Sequence, residues 1–210
     1  MQSDALVGRV AELGSLEHGI AFEPMKEDQT SESDFEFTRD LMVAFFGRTR
    51  IQATLERIAS TDVTGWEKWW QIELAMFLAE HDDIAEWDME EEFHTDLRTG
   101  ASKDFMAIDI CFRRKGFAKN HFVFVELKQD RDWKRCIGNM LTDAEKFGAS
   151  KTRSLSGLQV RSFWLVGVHP GDSKAEVHDY IERVAENRDV EWDFMETRFI
   201  PGTQYSFTIV

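Results

Sequence analysis

Apolar and polar residues alternate along this chain in two distinct periods, and those periods predict a mixed α/β fold. From Phe37 to Ala59, Leu41, Phe45, Ile51, Leu55 and Ile58 recur at helical spacing. A second helix is expected from Val63 to His81, with Thr64 as N-cap and Glu67 three residues later as the other half of a capping box. Trp66, Trp69, Trp70, Glu73, Phe77 and His81 lie near one stripe of it. Period-two segments come next. Glu86 to Leu97 reads as a strand with Trp87, Met89, Glu91 and Phe93 on one face and Asp88, Glu90, Glu92 and His94 on the other. Lys103 to Arg114 and Phe122 to Leu127 read as two further strands, joined by the basic link Arg114 to Asn120. Arg131 to Ala149 is helical in pattern, with Trp133, Ile137, Met140, Leu141 and Ala144 inward. Lys151 to Ser154 reads as a polar loop and Phe163 to Val168 as a buried strand. Ser173 should cap a last helix running to Arg188. Val190 to Ile200 and Tyr205 to Val210 suit a hairpin turning over Pro201-Gly202.

Three ionisable residues interrupt the most apolar part of this pattern. Asp109 sits within Met106-Ala107-Ile108-Asp109-Ile110-Cys111-Phe112, and Glu126-Leu127-Lys128 ends the next strand. Buried charges are costly unless paired or bound to a metal. Glu126 and Lys128, two apart, point to one face of a strand, and a hairpin would bring Asp109 beside them. Two carboxylates and an ammonium can bind Mg²⁺ and assist phosphodiester cleavage. The alternative is an Asp/Glu–Lys ion pair with no metal.

This arrangement resembles the PD-(D/E)XK nuclease superfamily, in which an Asp on one strand is followed by Glu/Asp-x-Lys on the next. The resemblance covers roughly 66–169, and Ile108 stands where the name-giving Pro would be. It implies an α/β fold with a restriction-endonuclease-like core, a central mixed β-sheet flanked by helices and an N-terminal helical extension. It implies Asp109, Glu126 and Lys128 as catalytic residues, with Glu73 from the preceding helix. It further implies Mg²⁺ or Mn²⁺ held by Asp109, Glu126, the Leu127 carbonyl and Glu73, with Lys128 acting on the attacking water or the developing charge. The expected activity is that of a DNA endonuclease in a defence, mobile-element or phage setting, with homodimers common among such enzymes.

Charge changes the picture of how such a protein would meet its substrate. The 210 residues carry a net charge of −14, unlike a general nucleic-acid binder. The charge is unevenly placed: −7 over 1–37, −8 over 38–100, +6 over 101–161 and −5 over 162–210. The basic section carries the Asp and Glu-x-Lys motif. Arg113, Arg114, Lys115, Lys119, Arg131, Lys134 and Arg135 are therefore the candidate nucleic-acid contacts, expected on one face around Lys128. Residues 1–37 read as an acidic arm before a single domain over 38–210, with Gln29 to Asp34 as loop. The arm serves solubility, covers the basic face or mimics nucleic acid. A second reading is a catalytically weak protein of the same fold that docks a basic protein partner through its acidic surface.

Other chemistry is thinly represented. Cys111 and Cys136 make no zinc or disulfide pattern and suit buried thiols. The histidines lack paired metal spacing, and no Gly-rich phosphate loop or Gly-x-Ser-x-Gly elbow occurs. Trp66, Trp69 and Trp70 suit core packing better than base stacking. No apolar run reaches the ~20 residues needed to span a bilayer, and Met1 to Ala5 lacks the basic start of a signal peptide. A cytoplasmic location without membrane contact is the expectation.

Overall fold

The computed structural model describes residues 27–61, 63–95, 105–148, 150–171, 173–188 and 193–210. Three helices come first: α1 Glu27–Phe46, α2 Thr49–Ala59 and α3 Glu67–Glu80. The strands β1 Ile84–Thr95, β2 Phe105–Arg114 and β3 His121–Gln129 come after them, then helix α4 Trp133–Gly148. The chain ends with β4 Ser150–Ser154, β5 Gln159–Pro170, α5 Lys174–Glu186, β6 Glu196–Phe199 and β7 Tyr205–Ile209.

Local chemistry moves several boundaries from those expected. The helix expected over Phe37 to Ala59 is two helices, because Arg48 adopts an extended φ of −70° and ψ of 124° and starts α2 afresh. The expected loop at Gln29 to Asp34 belongs to α1. Asp34 is fully buried there and pairs with Arg161 of β5 at 2.9 Å. Burial pushes its carboxyl up, and Arg161 opposes that shift. The rest of the acidic arm, 1–26, lies outside the described residues. The capping box at Thr64 does not form: α3 starts at Glu67 with Trp66 as N-cap and no side-chain cap. The polar stretch after α4 is strand β4 rather than loop. Ser173 does cap α5, its Oγ accepting from the Glu176 N–H at 3.4 Å. The terminal hairpin forms as β6 and β7, although Val190 to Trp192 lies outside the described residues.

The sheet runs β1–β2–β3–β5–β7–β6, antiparallel except for the parallel pair β3–β5, and β4 bridges the end of β1 to the start of β5. Parallel neighbours need a crossover, and α4 supplies it. Helices cover both faces, so β3 is apolar on both sides. Val123, Val125 and Leu127 join Phe45, Phe46, Trp70, Leu74, Ile110, Phe112 and Phe207 under α1–α3. Phe122 and Phe124 join Phe93, Ile108 and Cys111 on the α4 side. Beyond them Cys136, Ile137, Met140 and Leu141 of α4 meet Leu165, Val177 and Ile181. Gly167 permits this close approach of α4, since a Cβ there would run into Met140 Sδ.

The first two strands share an irregularity at their centre. The register of β1 on β2 is unbroken across Met89↔Ile110 and Glu91↔Ile108. Yet Met89, Ile110 and Phe112 pack under α1–α3, while Phe93, Ile108 and Cys111 pack toward α4. Both strands exchange faces at Glu90 and Asp109. Glu90 has φ of +59°, the only positive φ at a non-glycine among the described residues. The single-face alternation expected for β1 is therefore broken at its centre.

Candidate active site

The site lies where the β2–β3 ladder opens. Ile110↔Val125, Cys111↔Phe124 and Phe112↔Val123 pair in register. One step further, side chains replace the ladder. Asp109 Oδ2 accepts from the Leu127 N–H at 2.8 Å, and the Asp109 N–H donates to Glu126 Oε2 at 3.4 Å. Each carboxylate thus satisfies a backbone donor that strand separation has freed. Asp109, Glu126 and Lys128 converge because the hairpin register places 109 opposite 126.

Lys128 completes the cluster. Its Nζ lies 2.7 Å from Glu126 Oε1, 3.1 Å from the Leu127 carbonyl and 2.8 Å from Asp143 Oδ2 of α4. Glu67, the first residue of α3, accepts from the Gln129 N–H at 3.1 Å. Lys128 and Asp109 are the charges that act most on it. On the α3 side, Gln71 Nε2 donates to the Asp109 carbonyl at 2.6 Å and to Glu90 Oε1 at 3.0 Å.

Burial dominates the electrostatics. It pushes Glu126 up to about 7, with Asp109 adding to the shift and Lys128 opposing it. Burial likewise raises Asp109, with the Leu127 N–H and Lys128 pulling the other way. Burial raises Glu67 as well. For Lys128, burial favours the neutral amine, but Glu126 and Asp143 outweigh it and hold the ammonium above its ordinary range. Lys128 is shared between Glu126 and Asp143, and Lys146 pairs with Asp143 alone, so Glu126 has Lys128 as its one cationic partner among the described residues.

The raised Glu126 has a consequence for stability. The folded protein binds a proton at Glu126 more readily than the unfolded chain does. The associated stability is fully present below pH ~4.5 and is lost as pH rises through about 7. Without added metal, the melting temperature of wild type should fall across pH 5 to 8 by more than that of Glu126→Gln. The difference should correspond to on the order of 2 kcal/mol. Parallel melting curves for the two proteins would show that Glu126 is not so perturbed.

The remaining expected site residues scatter. Glu73 does not join the cluster: it pairs with Arg50 of α2, while Glu67, six residues earlier on α3, reaches the Gln129 N–H next to Lys128. Arg113 is buried, 2.6 Å from Glu86 and 3.2 Å from the Phe117 carbonyl. Arg114 stacks on Phe37 at 4.0 Å and lies 5.1 Å from the Phe117 ring. With Lys115 and Lys119 they mark the hairpin tip, five residues along each strand from the cluster, or about 17 Å away. Arg131, Lys134 and Arg135 instead come directly after the site strand β3. Arg131 donates to the carbonyls of Thr61 and Val63 at 3.0 and 3.1 Å. Arg135 grips Asp130 with two bonds. The Lys134 ammonium sits 5.3 Å from the Trp133 ring centre. The single basic face expected around Lys128 is therefore divided between opposite ends of the β2–β3 ladder, because cations near Phe37 and Phe117 are engaged in packing α1 and the hairpin tip. Cys111 and Cys136 are buried thiols, pushed up to about 12 by burial, as expected. Trp66 and Trp70 are core residues.

Searched against protein-family models, curated proteins and solved structures, the chain matches none. Among the described residues no three His, Cys, Asp or Glu side chains are gathered closely enough to hold a metal ion as they stand. The donor chemistry nonetheless suits a hard cation: Asp109 and Glu126 carboxylates with the Leu127 carbonyl. The Lys128 ammonium already rests on two of those oxygens, Glu126 Oε1 and Leu127 O, as a cation would. Among the described residues no helix is long and apolar enough to cross a membrane.

Proposed function

We propose that this protein is a Mg²⁺- or Mn²⁺-dependent nuclease with a restriction-endonuclease-like core, acting on DNA as an endonuclease. The fork at Asp109 and Glu126, with Lys128 beside it, is the observation that carries the reading. Buried, perturbed acids with a specific charge partner cluster at functional sites, and here two of them meet a shared ammonium where the ladder opens.

Asp109 and Glu126, with the Leu127 carbonyl, would hold the ion. It would supply Lewis-acid polarisation of a phosphoryl oxygen and a more acidic bound water. Asp109 is kept in place by the Leu127 N–H, and the Asp109 N–H in turn steadies Glu126. Lys128 must release Glu126 Oε1 and Leu127 O for those oxygens to bind metal, and Asp143 offers its ammonium an alternative partner. From there Lys128 can stabilise the charge that builds on phosphorus. Glu67 adds a further carboxylate at the mouth of the fork.

The second reading is a protein of this fold that binds a basic partner and does not cut. It draws support from the full pairing of Lys128 in this structure and from the divided basic residues. Incubation of the purified protein with supercoiled plasmid and Mg²⁺, Mn²⁺ or EDTA separates the two. Metal-dependent nicking that is lost in Asp109→Asn supports the nuclease. Intact plasmid under every condition supports the binding protein.

The position of the cations sets a further expectation for DNA binding. Reversing Lys134 and Arg135 to Glu should weaken binding and flatten its salt dependence by about one unit of slope per lost phosphate contact. Reversing Lys115 and Lys119, at the far tip, should change neither. Equal effects of the two pairs in a salt titration would place the DNA elsewhere.

A further inference from the structure

Glu90 is in the wrong conformation for its residue type and its place. A side chain with a Cβ in the left-handed region is disfavoured, and the middle of a strand offers no turn to require it. Its φ of +59° falls where β1 and β2 exchange faces without losing register. The carboxylate is turned toward α3, where it meets Lys68 and accepts from Gln71 Nε2.

Gln71 is 2% exposed, among the most buried polar residues described. Its amide nitrogen has two protons and directs both at this spot: one to Glu90 Oε1 at 3.0 Å, the other to the Asp109 carbonyl at 2.6 Å. A helix side chain thus reaches between two strands where the ladder is interrupted. It holds the backbone of the residue whose carboxylate stands at the fork.

We propose that Glu90 and Gln71 are positioning residues for Asp109: Glu90 orients the Gln71 amide, and Gln71 fixes the Asp109 backbone so that its carboxylate stays aligned with Glu126. This rests on the nuclease reading. The left-handed backbone is retained because it aims Glu90 at Gln71, and a strand of ordinary geometry would aim it elsewhere. Lys68 balances the Glu90 charge and is not itself part of the bridge.

Glycine at 90 tests this, since glycine takes the same φ without penalty and removes the carboxylate together with the rest of the side chain. Glu90→Gly should melt within about 3 °C of wild type, because relief of the left-handed backbone offsets glycine's greater freedom in the unfolded chain. Its affinity for Mn²⁺ by calorimetry should nevertheless fall about tenfold, as happens when the support of a metal ligand is lost. Plasmid nicking should lose kcat with little change in KM. Glu90→Gln keeps an oxygen for Gln71 and should retain most of both. Gln71→Met should reproduce the loss, and the double variant Glu90→Gly with Gln71→Met should be no worse than Gln71→Met alone, because the two act in series. Wild-type Mn²⁺ affinity and nicking in Glu90→Gly, or losses that add in the double variant, overturn the proposal while leaving the nuclease reading intact. A wild-type protein that neither binds Mn²⁺ nor nicks overturns both.

Discussion

Lys128→Met should reduce metal-dependent cleavage by about two to three orders of magnitude, the loss typical when a donor aimed at developing charge is removed. Methionine keeps most of the length of the side chain and removes its charge. The structure adds a complication absent from the motif. Lys128 neutralises Glu126 at 2.7 Å and Asp143 at 2.8 Å, both largely buried. Removing one partner of a buried ion pair strands the other, at a cost of about 3–5 kcal/mol. Glu126, already raised to about 7, should move further up and take a proton. The variant should therefore lose stability steeply as pH rises from 6 to 8, since Glu126 must then ionise without a counter-charge, while Asp143 keeps Lys146 as its partner. Divalent metal should restore part of the melting temperature by mass action. Nicking by folded Lys128→Met at the wild-type rate would place the chemistry elsewhere. A melting temperature indifferent to pH would show that Glu126 does not depend on Lys128.

The parts of this fold that depend on period alone were legible. Helical spacing found α3, α4 and α5, and alternation with β-branched and aromatic residues found β1, β2, β3, β5 and the terminal hairpin. Asp109, Glu126 and Lys128 stood out because ionisable residues inside apolar strands must find partners. Glu67 did not, since a carboxylate three residues after Thr64 has a sufficient local explanation as a cap, and only the α3–β3 packing shows that it reaches Gln129 instead. Glu73 looked aimed at the sheet from its stripe with Trp69 and Phe77, but Arg50 on α2, a contact between elements, claims it. Asp143 lies three residues beyond Met140 on the inward side of α4, so the helical period held a signal for it. The face exchange at Glu90 and Asp109 had none: the residue types on β1 fit an ordinary strand, and only the backbone departs from one. The basic stretch failed as a face because sequence proximity does not place cations. Arg113 turns inward to Glu86, and Arg114 and Arg161 lie over aromatic rings near α1.

Trp70→Ala should be the most destabilising single change in the helical layer, at about 3–5 kcal/mol. Trp70 is completely buried on α3, stacked on Phe46 at 5.6 Å and set edgewise to Trp66 at 6.4 Å. It is adjacent in sequence to Gln71 and one turn from Glu67, so the seating of this ring fixes where α3 presents both side chains to the fork. Loss of the ring should therefore lower the midpoint of urea unfolding and, in the fraction still folded, weaken Mn²⁺ binding. Trp70→Phe supplies the contrast. The Trp70 indole N–H is buried without an acceptor among the described residues. Phenylalanine gives up volume but also removes a donor whose burial is uncompensated, and such a group costs about 1–3 kcal/mol. Trp70→Phe should consequently cost well under half of what Trp70→Ala does, with metal binding retained. Equal destabilisation by the two would mean that the indole N–H is satisfied and that shape alone governs the site. Unchanged stability in Trp70→Ala would mean that α3 is held by other contacts, and the link from this ring to the fork would fall.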